Sequence, residues 1–127
     1  MTDFQLYNKI MGGNVAEIAK YATQEKVSIS DFEQLKIRTF LYLRACVDTA
    51  TYPTSKGFAR SIGYTPQALR YWRNKKKDTL QGQWLDMFAD LCADITIQSG
   101  LQGNANPTSV KFITYQHLKY INKQEDK

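Results

Sequence analysis

The chain of 127 residues has little of what a membrane-bound or secreted protein needs. No run of about 20 apolar residues is present, so we expect no transmembrane helix. The first four residues, Met-Thr-Asp-Phe, have neither the basic start nor the apolar run of a secretory signal. We therefore expect a cytoplasmic protein without a membrane partner. The hydrophobic content of 43% is enough for one compact domain with a core.

Cysteine and histidine are scarce, with two cysteines and one histidine in the whole chain. Cys46 and Cys92 each fall in an apolar helical pattern, so we expect small buried core residues in a reducing compartment. A structural zinc site needs about four ligands, which two distant cysteines and His117 cannot easily supply. We expect no metal and no cofactor, and a packing or hydrogen-bonding role for His117.

Catalytic motifs are also missing from the sequence. Asp86, Asp90 and Asp94 recur every four residues, but no paired acid or histidine lies nearby in sequence to complete a cation site. We interpret them as a solvated face, or as an acidic surface that meets a neighbour's basic one. The glycine-containing stretch 100–106 lacks the Gly-Lys-Ser/Thr ending of a phosphate-binding loop. We therefore expect no catalytic residue and no enzyme activity.

Proline and glycine are sparse, and the segments between them have helical periodicity, which predicts an all-α fold. Capping residues predict helix starts at Asn14 with Glu17, at Ser30 with Glu33, at Thr54 or Ser55, at Thr65 before Pro66, near Asp78, and at Asn106 before Pro107. The helix that begins near Ser30 is apolar over much of its circumference, so we expect it at the centre of the core. We expect this helix to end near residues 51–53, and Gly100 to end the helix that begins near Asp78.

The predicted core positions belong to four helices. In the first two they are Val15, Ile18, Ala19 and Ala22, then Phe32, Leu35, Phe40, Leu41, Leu43, Cys46 and Val47. In the last two they are Leu80, Trp84, Phe88, Leu91, Cys92 and Ile95, then Val110, Ile113, His117, Leu118 and Ile121. Their spacing is that of helical faces that turn toward a shared core.

One segment lacks negative charge altogether. Residues 49–77 contain no Asp or Glu, and their seven basic residues are Lys56, Arg60, Arg70, Arg73, Lys75, Lys76 and Lys77. The chain has 17 Lys+Arg and 12 Asp+Glu, so everything outside this segment sums to 10 minus 12, or −2. The net charge of +5 is therefore local. Together with a pI of about 9.2, this local charge predicts a polyanionic partner.

The same segment carries the pattern of a helix-turn-helix at residues 53–77. Such a motif needs a small residue where its two helices cross and a glycine in the turn. Ala59 and Gly63 occupy these positions, four residues apart. The apolar positions expected around them are filled by Phe58, Ile62, Tyr64, Leu69 and Trp72. The alternative interpretation is a helical hairpin whose basic residues are only a solvated face.

The second helix of this motif, from Pro66 to about Lys77, is the predicted recognition helix. If Leu69 and Trp72 face inward, the outward side chains are Gln67, Arg70, Tyr71 and Asn74. Arg can make two hydrogen bonds to guanine, and Gln or Asn can make two to adenine. The side chains placed for DNA phosphates are Lys56, Arg60, Thr65, Arg73, Lys75, Lys76 and Lys77. The predicted partner is double-stranded DNA.

Two stretches resemble small terminase subunits, the DNA-packaging proteins of tailed phages. Residues 53–63, from Pro-Thr-Ser-Lys-Gly-Phe-Ala to the turn glycine, look like that family's helix-turn-helix, as do the later residues Leu69, Tyr71 and Trp72. Residues 100–108, Gly-Leu-Gln-Gly-Asn-Ala-Asn-Pro-Thr, look like the family's turn before its last helix, as do Lys111, Phe112 and His117. The resemblance runs from Pro53 to about Ile121 and does not cover residues 1–52.

The resemblance implies a non-enzymatic protein that binds viral DNA at a packaging site, in the cytoplasm of the host cell. It would present this DNA to a large motor-nuclease subunit. Members of the family commonly assemble as homo-oligomeric rings through the helices that follow the DNA-binding unit. The residues that would face DNA are Thr65, Gln67, Arg70, Tyr71 and Asn74. Those that would serve the helical hairpin and subunit contacts are Trp84, Phe88, Leu91, Ile95, Val110 and Ile113.

The sequence therefore predicts an all-α protein in three parts. Residues 1–78 form an N-terminal helical region that ends in the helix-turn-helix, residues 79–122 form a helical hairpin for oligomerisation, and residues 123–127 form a charged tail. Two other functions fit the same motif. A transcriptional regulator or excision factor of a phage or mobile element would act as a dimer on a palindromic operator. A helical interaction protein would make no specific DNA contact.

Overall fold

The computed structural model describes residues 2–21, 26–101, 111 and 113–119, without the side chains of residues 99–101. Every regular element in these ranges is a helix, which confirms the predicted all-α fold. In chain order the elements are α1 (Asp3–Gly12), α2 (Val15–Ile18), a 3-10 helix (Ala19–Tyr21), α3 (Phe32–Thr49), α4 (Ser55–Ser61), α5 (Pro66–Lys75) and α6 (Leu80–Leu101). Residues 111 and 113–119 are also helical and form the last helical segment. Among the described residues, no helix combines the length and the hydropathy that a membrane span requires.

Three of the predicted N-caps are confirmed and one is wrong. The confirmed caps, whose side chains accept a hydrogen bond from the backbone N–H three residues later, are Asn14, Thr54 and Thr65. Helix α3 is capped by Asp31 rather than Ser30, because the Asp31 carboxylate accepts from the N–H of Gln34 at 3.1 Å. A carboxylate at this position also interacts favourably with the positive end of the helix dipole.

Helix α3 lies at the centre of the fold, as predicted, since it packs against α1, α4 and α6. Its Phe40 side chain is 1% exposed and meets aromatic rings on both sides. The ring centroids of Tyr7 on α1 and Trp84 on α6 lie 5.5 Å and 5.8 Å from it. The indole N–H of Trp84 donates to the Thr39 hydroxyl at 2.9 Å, so the polar atom of this buried side chain has a partner.

The last helical segment completes the same core. Ile113 and Leu118 are buried in one cluster with residues of α1, α3, α4, α5 and α6, so this core spans both predicted regions, 1–78 and 79–122. The Tyr7 hydroxyl donates to the carbonyl of Lys111 at 3.2 Å, while the rings of Phe4 and Tyr115 lie 5.4 Å apart. The earlier residue of α1, Phe4, contacts the later residue of the segment, and Tyr7 contacts the earlier one. The segment therefore runs antiparallel to α1.

Some sequence-based expectations about the core and the helix ends are wrong. Val15 and Leu80 are 70% and 62% exposed, because each is the first residue of its helix and has no preceding turn to shield it. Ala19 is also exposed. Helix α3 ends at Thr49, and α6 continues through Leu101 instead of ending at Gly100. The predicted positions that lie outside the described residues are Ala22, Asn106, Pro107, Val110, Ile121 and the tail 123–127.

The two cysteines are buried and form no disulfide, which confirms their predicted core role. Burial raises the pKa of the Cys46 thiol and raises that of Cys92 from 9.0 to about 12. The pKa of Cys92 is thus higher in the folded chain than in the unfolded chain. The free energy of unfolding should therefore fall as the pH rises from about 9 toward about 12, where only the unfolded chain loses this proton.

We expect the thiols of Cys46 and Cys92 to be inert in the folded protein at pH 8. The thiolate is the reactive form, and burial both suppresses its formation and blocks the reagent. A chromogenic disulfide reagent should detect two thiols per chain in denaturant and almost none, within minutes, in native buffer. Rapid labelling of the native protein, with an unchanged circular dichroism spectrum, would contradict the buried positions of these two side chains.

Candidate nucleic-acid interface

Helices α4 and α5 pack against each other across a short turn. Phe58, Ala59 and Ile62 are each 0% exposed, and Leu69 of α5 is 7% exposed. The turn glycine Gly63 has a φ of 88°, in the left-handed region that a side chain would disfavour. The small residue, the turn glycine and the buried positions Phe58, Ile62 and Leu69 therefore lie where the sequence predicted them, whereas Tyr64 and Trp72 are only half-buried.

The N-terminal part of the chain fixes this helical pair, a role that the sequence did not indicate. The N–H of Val27 donates to the carbonyl of Ile62 at 3.1 Å, and the Tyr64 hydroxyl donates to the carbonyl of Val27 at 2.6 Å. The hydroxyl of Tyr42 on α3 accepts from the N–H of Thr54 at 3.0 Å, just before α4. Residues 26–29 and α3 thus hold both ends of α4 in place.

The outward side of α5 is exposed and carries no acidic residue. The predicted outward side chains are all exposed, namely Gln67, Arg70, Tyr71 and Asn74. Tyr71 is 56% exposed, which is unusual for a large aromatic ring. The Lys75 ammonium lies 5.5 Å and 5.4 Å from the ring centroids of Tyr71 and Trp72. These cation–π contacts hold Lys75 against the helix while its charge stays at the surface.

Most of the predicted phosphate contacts are available to a ligand. Lys56, Arg60 and Lys77 are exposed and form no ion pair with any residue that the structure describes. Lys76 is half-buried. The Thr65 hydroxyl accepts from the N–H of Ala68 at 3.1 Å, so it caps α5 and can still donate its own O–H to a ligand.

Arg73 is the exception among the predicted DNA contacts. Its guanidinium forms an ion pair with Asp86 on α6, and both side chains are partly exposed. The pair offsets the positive charge of Arg73 and turns it toward α6. The sequence missed this contact because the two residues lie on different helices, 13 positions apart.

Two of the three acidic residues of α6, Asp86 and Asp94, meet partners within the same chain. Asp86 pairs with Arg73, and the carboxylate of Asp94 lies 3.2 Å from the Nε2 atom of His117. The hydrogen bond of His117 agrees with the predicted role of this residue. Asp90 is exposed. Within the described ranges, no group of three or more His, Cys, Asp or Glu side chains could hold a metal ion.

The residues predicted to serve subunit contacts lie inside the single chain. The side chains that are no more than 5% exposed are Trp84, Phe88, Leu91, Ile95 and Ile113. Their predicted role in the helical packing of the chain is thus supported, but side chains packed in this core cannot also line a subunit surface. The sixth predicted residue, Val110, lies outside the described residues. The periodicity that identified them marks any buried face and does not separate a core from an interface.

Gly82 is a structural residue of this region that the sequence analysis did not single out. The N–H of Thr79 donates to the carbonyl of Lys76 at 2.9 Å, and the N–H of Gly82 donates to the Thr79 hydroxyl at 3.2 Å. A Cβ atom at Gly82 would overlap that same Lys76 carbonyl and lie 2.8 Å from the Cα of Lys77. A glycine inside a helical pattern was the available signal, since it often marks a close backbone approach.

The resemblance to small terminase subunits rests on the sequence pattern alone. Its first stretch falls on α4 and α5, whose features are given above. Most of its second stretch, from residue 102 onward, lies outside the described residues. No protein-family model matches the chain, and neither a curated protein nor a solved structure matches it significantly.

Proposed function

We propose that this chain binds double-stranded DNA and places α5 in the major groove. The observation that carries the proposal is the exposed outer side of α5, which has no acidic residue and presents Gln67, Arg70 and Asn74. The opposite side of this helix packs against the rest of the chain. Arg70 would read guanine, and Gln67 or Asn74 would read adenine. The exposed ring of Tyr71 would contact a thymine methyl group or a sugar. The role is recognition and not catalysis.

The cations around α5 would position the helix on the DNA backbone. Lys56 and Arg60 lie on α4, and Lys77 follows α5, so the charges lie on both sides of the predicted reading surface. Contacts of this kind supply affinity and salt dependence but no sequence choice. Thr65 would donate its hydroxyl to a phosphate near the N-terminus of α5, where the helix dipole also favours an anion.

The biological role that we propose is that of a small terminase subunit, which binds viral packaging-site DNA and presents it to a large motor-nuclease subunit. The support for this finer proposal is the sequence resemblance described above. Light scattering of the purified chain separates packaging from regulation, and DNA affinity measured against salt separates both from a helical interaction protein. A ring of many subunits favours packaging, a dimer that binds a palindrome favours a regulator, and a chain without DNA affinity would overturn both.

Arg70→Ala tests base reading directly. The variant should bind a duplex selected from a random pool roughly 5- to 150-fold more weakly, because a two-hydrogen-bond contact to guanine contributes about 1–3 kcal/mol of discrimination. A random duplex of equal length should lose much less. Fluorescence anisotropy at fixed salt measures both. Equal losses on the two duplexes would contradict base reading and leave Arg70 with a phosphate contact only.

Asp86→Asn should strengthen DNA binding, since it releases Arg73 from its ion pair and removes a negative charge. We expect a several-fold gain in affinity at low salt and a steeper salt dependence, by about 0.9 in the logarithmic slope for one added phosphate contact. The loss of folding stability should stay below about 1 kcal/mol because the pair is partly exposed. Anisotropy titrations between about 50 and about 200 mM salt measure the slope.

Asp90→Asn is the matched control for this experiment. Asp90 lies on the same helix, one turn later, is exposed and forms no ion pair with a described residue. It changes the net charge by the same amount without releasing an arginine. Equal gains for both variants would show that only the overall charge matters and that Arg73 does not contact DNA.

A further inference from the structure

One cation of the N-terminal region, Lys26, lies beside the turn between α4 and α5. Its ammonium is 4.8 Å from the ring centroid of Tyr64, the residue that directly precedes the N-cap of α5. Lys26 is exposed and forms no ion pair with any described residue. The proposed DNA contacts all lie between residues 56 and 77, so this charge at the edge of the same surface has no function among them.

The backbone on both sides of the contact between Lys26 and Tyr64 is fixed. Val27 is buried, and its N–H donates to the carbonyl of Ile62 at 3.1 Å while its own carbonyl accepts from the Tyr64 hydroxyl at 2.6 Å. The N–H of Tyr64 donates to the carbonyl of Ala59 at 2.9 Å. The cation–π contact then holds the ammonium of Lys26 against the ring. A cation held in this way loses less side-chain entropy when it meets a ligand than a freely moving lysine does.

Positive charge surrounds the turn on two further elements. Arg60 of α4 is exposed, and the guanidinium of Arg38 on α3 donates to the carbonyl of Ser61. The described acidic residues nearest to Lys26 in sequence, Asp31 and Glu33, are engaged at α3 as its N-cap and in an ion pair. The charges placed around the turn therefore favour an anionic ligand.

The anion that fits this position is a phosphate of the DNA backbone. The turn leads directly into the N-terminus of α5, where Thr65 and the helix dipole favour a phosphate. A lysine ammonium is a compact charge on a flexible stem, without the planar fork that reads guanine. Lys26 is therefore suited to a backbone contact beside the one made by Thr65.

We propose that Lys26 contacts a DNA phosphate, so that the N-terminal region contributes directly to the DNA interface. This inference rests on the proposed function, in which α5 lies in the major groove. It adds to that function a contact from outside the helix-turn-helix. Residues 26–29 then have two roles, since they hold the turn in place and carry a cation to the DNA.

Lys26→Ala tests the contact in the full chain. Its affinity for DNA at low salt should fall about tenfold, which is the loss of one charged hydrogen bond. The logarithmic salt slope should fall by about 0.9, and selected and random duplexes should lose equally. Lys26→Arg should bind within about twofold of the wild type, because a guanidinium also contacts phosphates. Fluorescence anisotropy measures all of these affinities.

Lys9→Ala is the matched control for this substitution. Lys9 lies on α1, is exposed, forms no ion pair with a described residue and carries the same charge. Its loss of affinity should stay below about twofold, since it affects only the net charge. Equal losses for Lys9→Ala and Lys26→Ala would overturn the inference and leave the proposed function intact. A wild-type chain without DNA affinity would overturn the proposed function itself.

Methylphosphonate substitutions in the selected duplex identify the phosphate, because each one removes a single backbone charge. At the position that Lys26 contacts, the substitution should weaken the wild type about tenfold and Lys26→Ala less than about twofold, since a contact already lost cannot be lost again. Equal losses for both proteins at every position would overturn a direct contact. Circular dichroism melts check the fold, and Lys26→Gln replaces Lys26→Ala in both experiments if the alanine variant unfolds early.

Discussion

Gly82→Ala should lower the free energy of unfolding by about 3 kcal/mol, the upper part of the usual range for overpacking. A Cβ atom at this position would overlap the carbonyl oxygen of Lys76 and approach the Cα of Lys77. Both contacts involve backbone, which cannot rotate away as a side chain can. Relief requires a shift of the turn between α5 and α6. For a domain of this size, thermal unfolding should begin roughly 12 °C lower.

Gly12→Ala is the matched control for the substitution at Gly82. Gly12 is also helical, as the last residue of α1, and a Cβ atom there would meet nothing within 4 Å. Alanine has the higher helix propensity, so this variant should be as stable as the wild type or slightly more stable. Circular dichroism melts of both variants test the prediction. Similar Tm values for the two variants would contradict the close approach of the turn to α6.

Features of the fold that depend on neighbouring residues could be predicted from the sequence, whereas features that depend on residues far apart in the sequence could not. Thr65 caps α5 and Ala59 and Gly63 occupy their expected places because these features depend on a few neighbouring residues. The start of α3 depends on the same local rules, yet Asp31 and Ser30 are both good caps. The sequence alone did not decide between them, so the prediction was wrong by one position.

Contacts between distant residues account for what the sequence did not indicate at the candidate interface. The hydrogen bonds of Val27 with the turn at Ile62, and the ion pair of Arg73 with Asp86, join elements that come together only in the folded chain. The amphipathic pattern of α6 located Trp84 and Phe88 in a buried face, but the identity of the surface that covers this face is a tertiary property.

A triple substitution of the cations that we propose to contact phosphates, Lys56→Ala, Arg60→Ala and Lys77→Ala, should reduce DNA affinity about a thousandfold at low salt. The estimate takes about 1.5 kcal/mol for each charged hydrogen bond and treats the three sites as additive. The logarithmic salt slope should fall by about 2.7, which is three phosphate contacts at about 0.9 each. The loss should be equal on selected and random duplexes, because phosphate contacts carry no sequence information.

The control is a second triple substitution, Lys9→Ala, Lys20→Ala and Lys119→Ala. These lysines are also exposed, and both variants change the net charge from +5 to +2, since 14 minus 12 is 2. If binding depends on the position of the charges, the control should lose little affinity beyond a weak, salt-sensitive effect of net charge. Equal losses for the two variants would contradict an interface centred on α4 and α5. In a ring of subunits the difference between the variants should grow further, because linked sites multiply the effect of each contact that is lost.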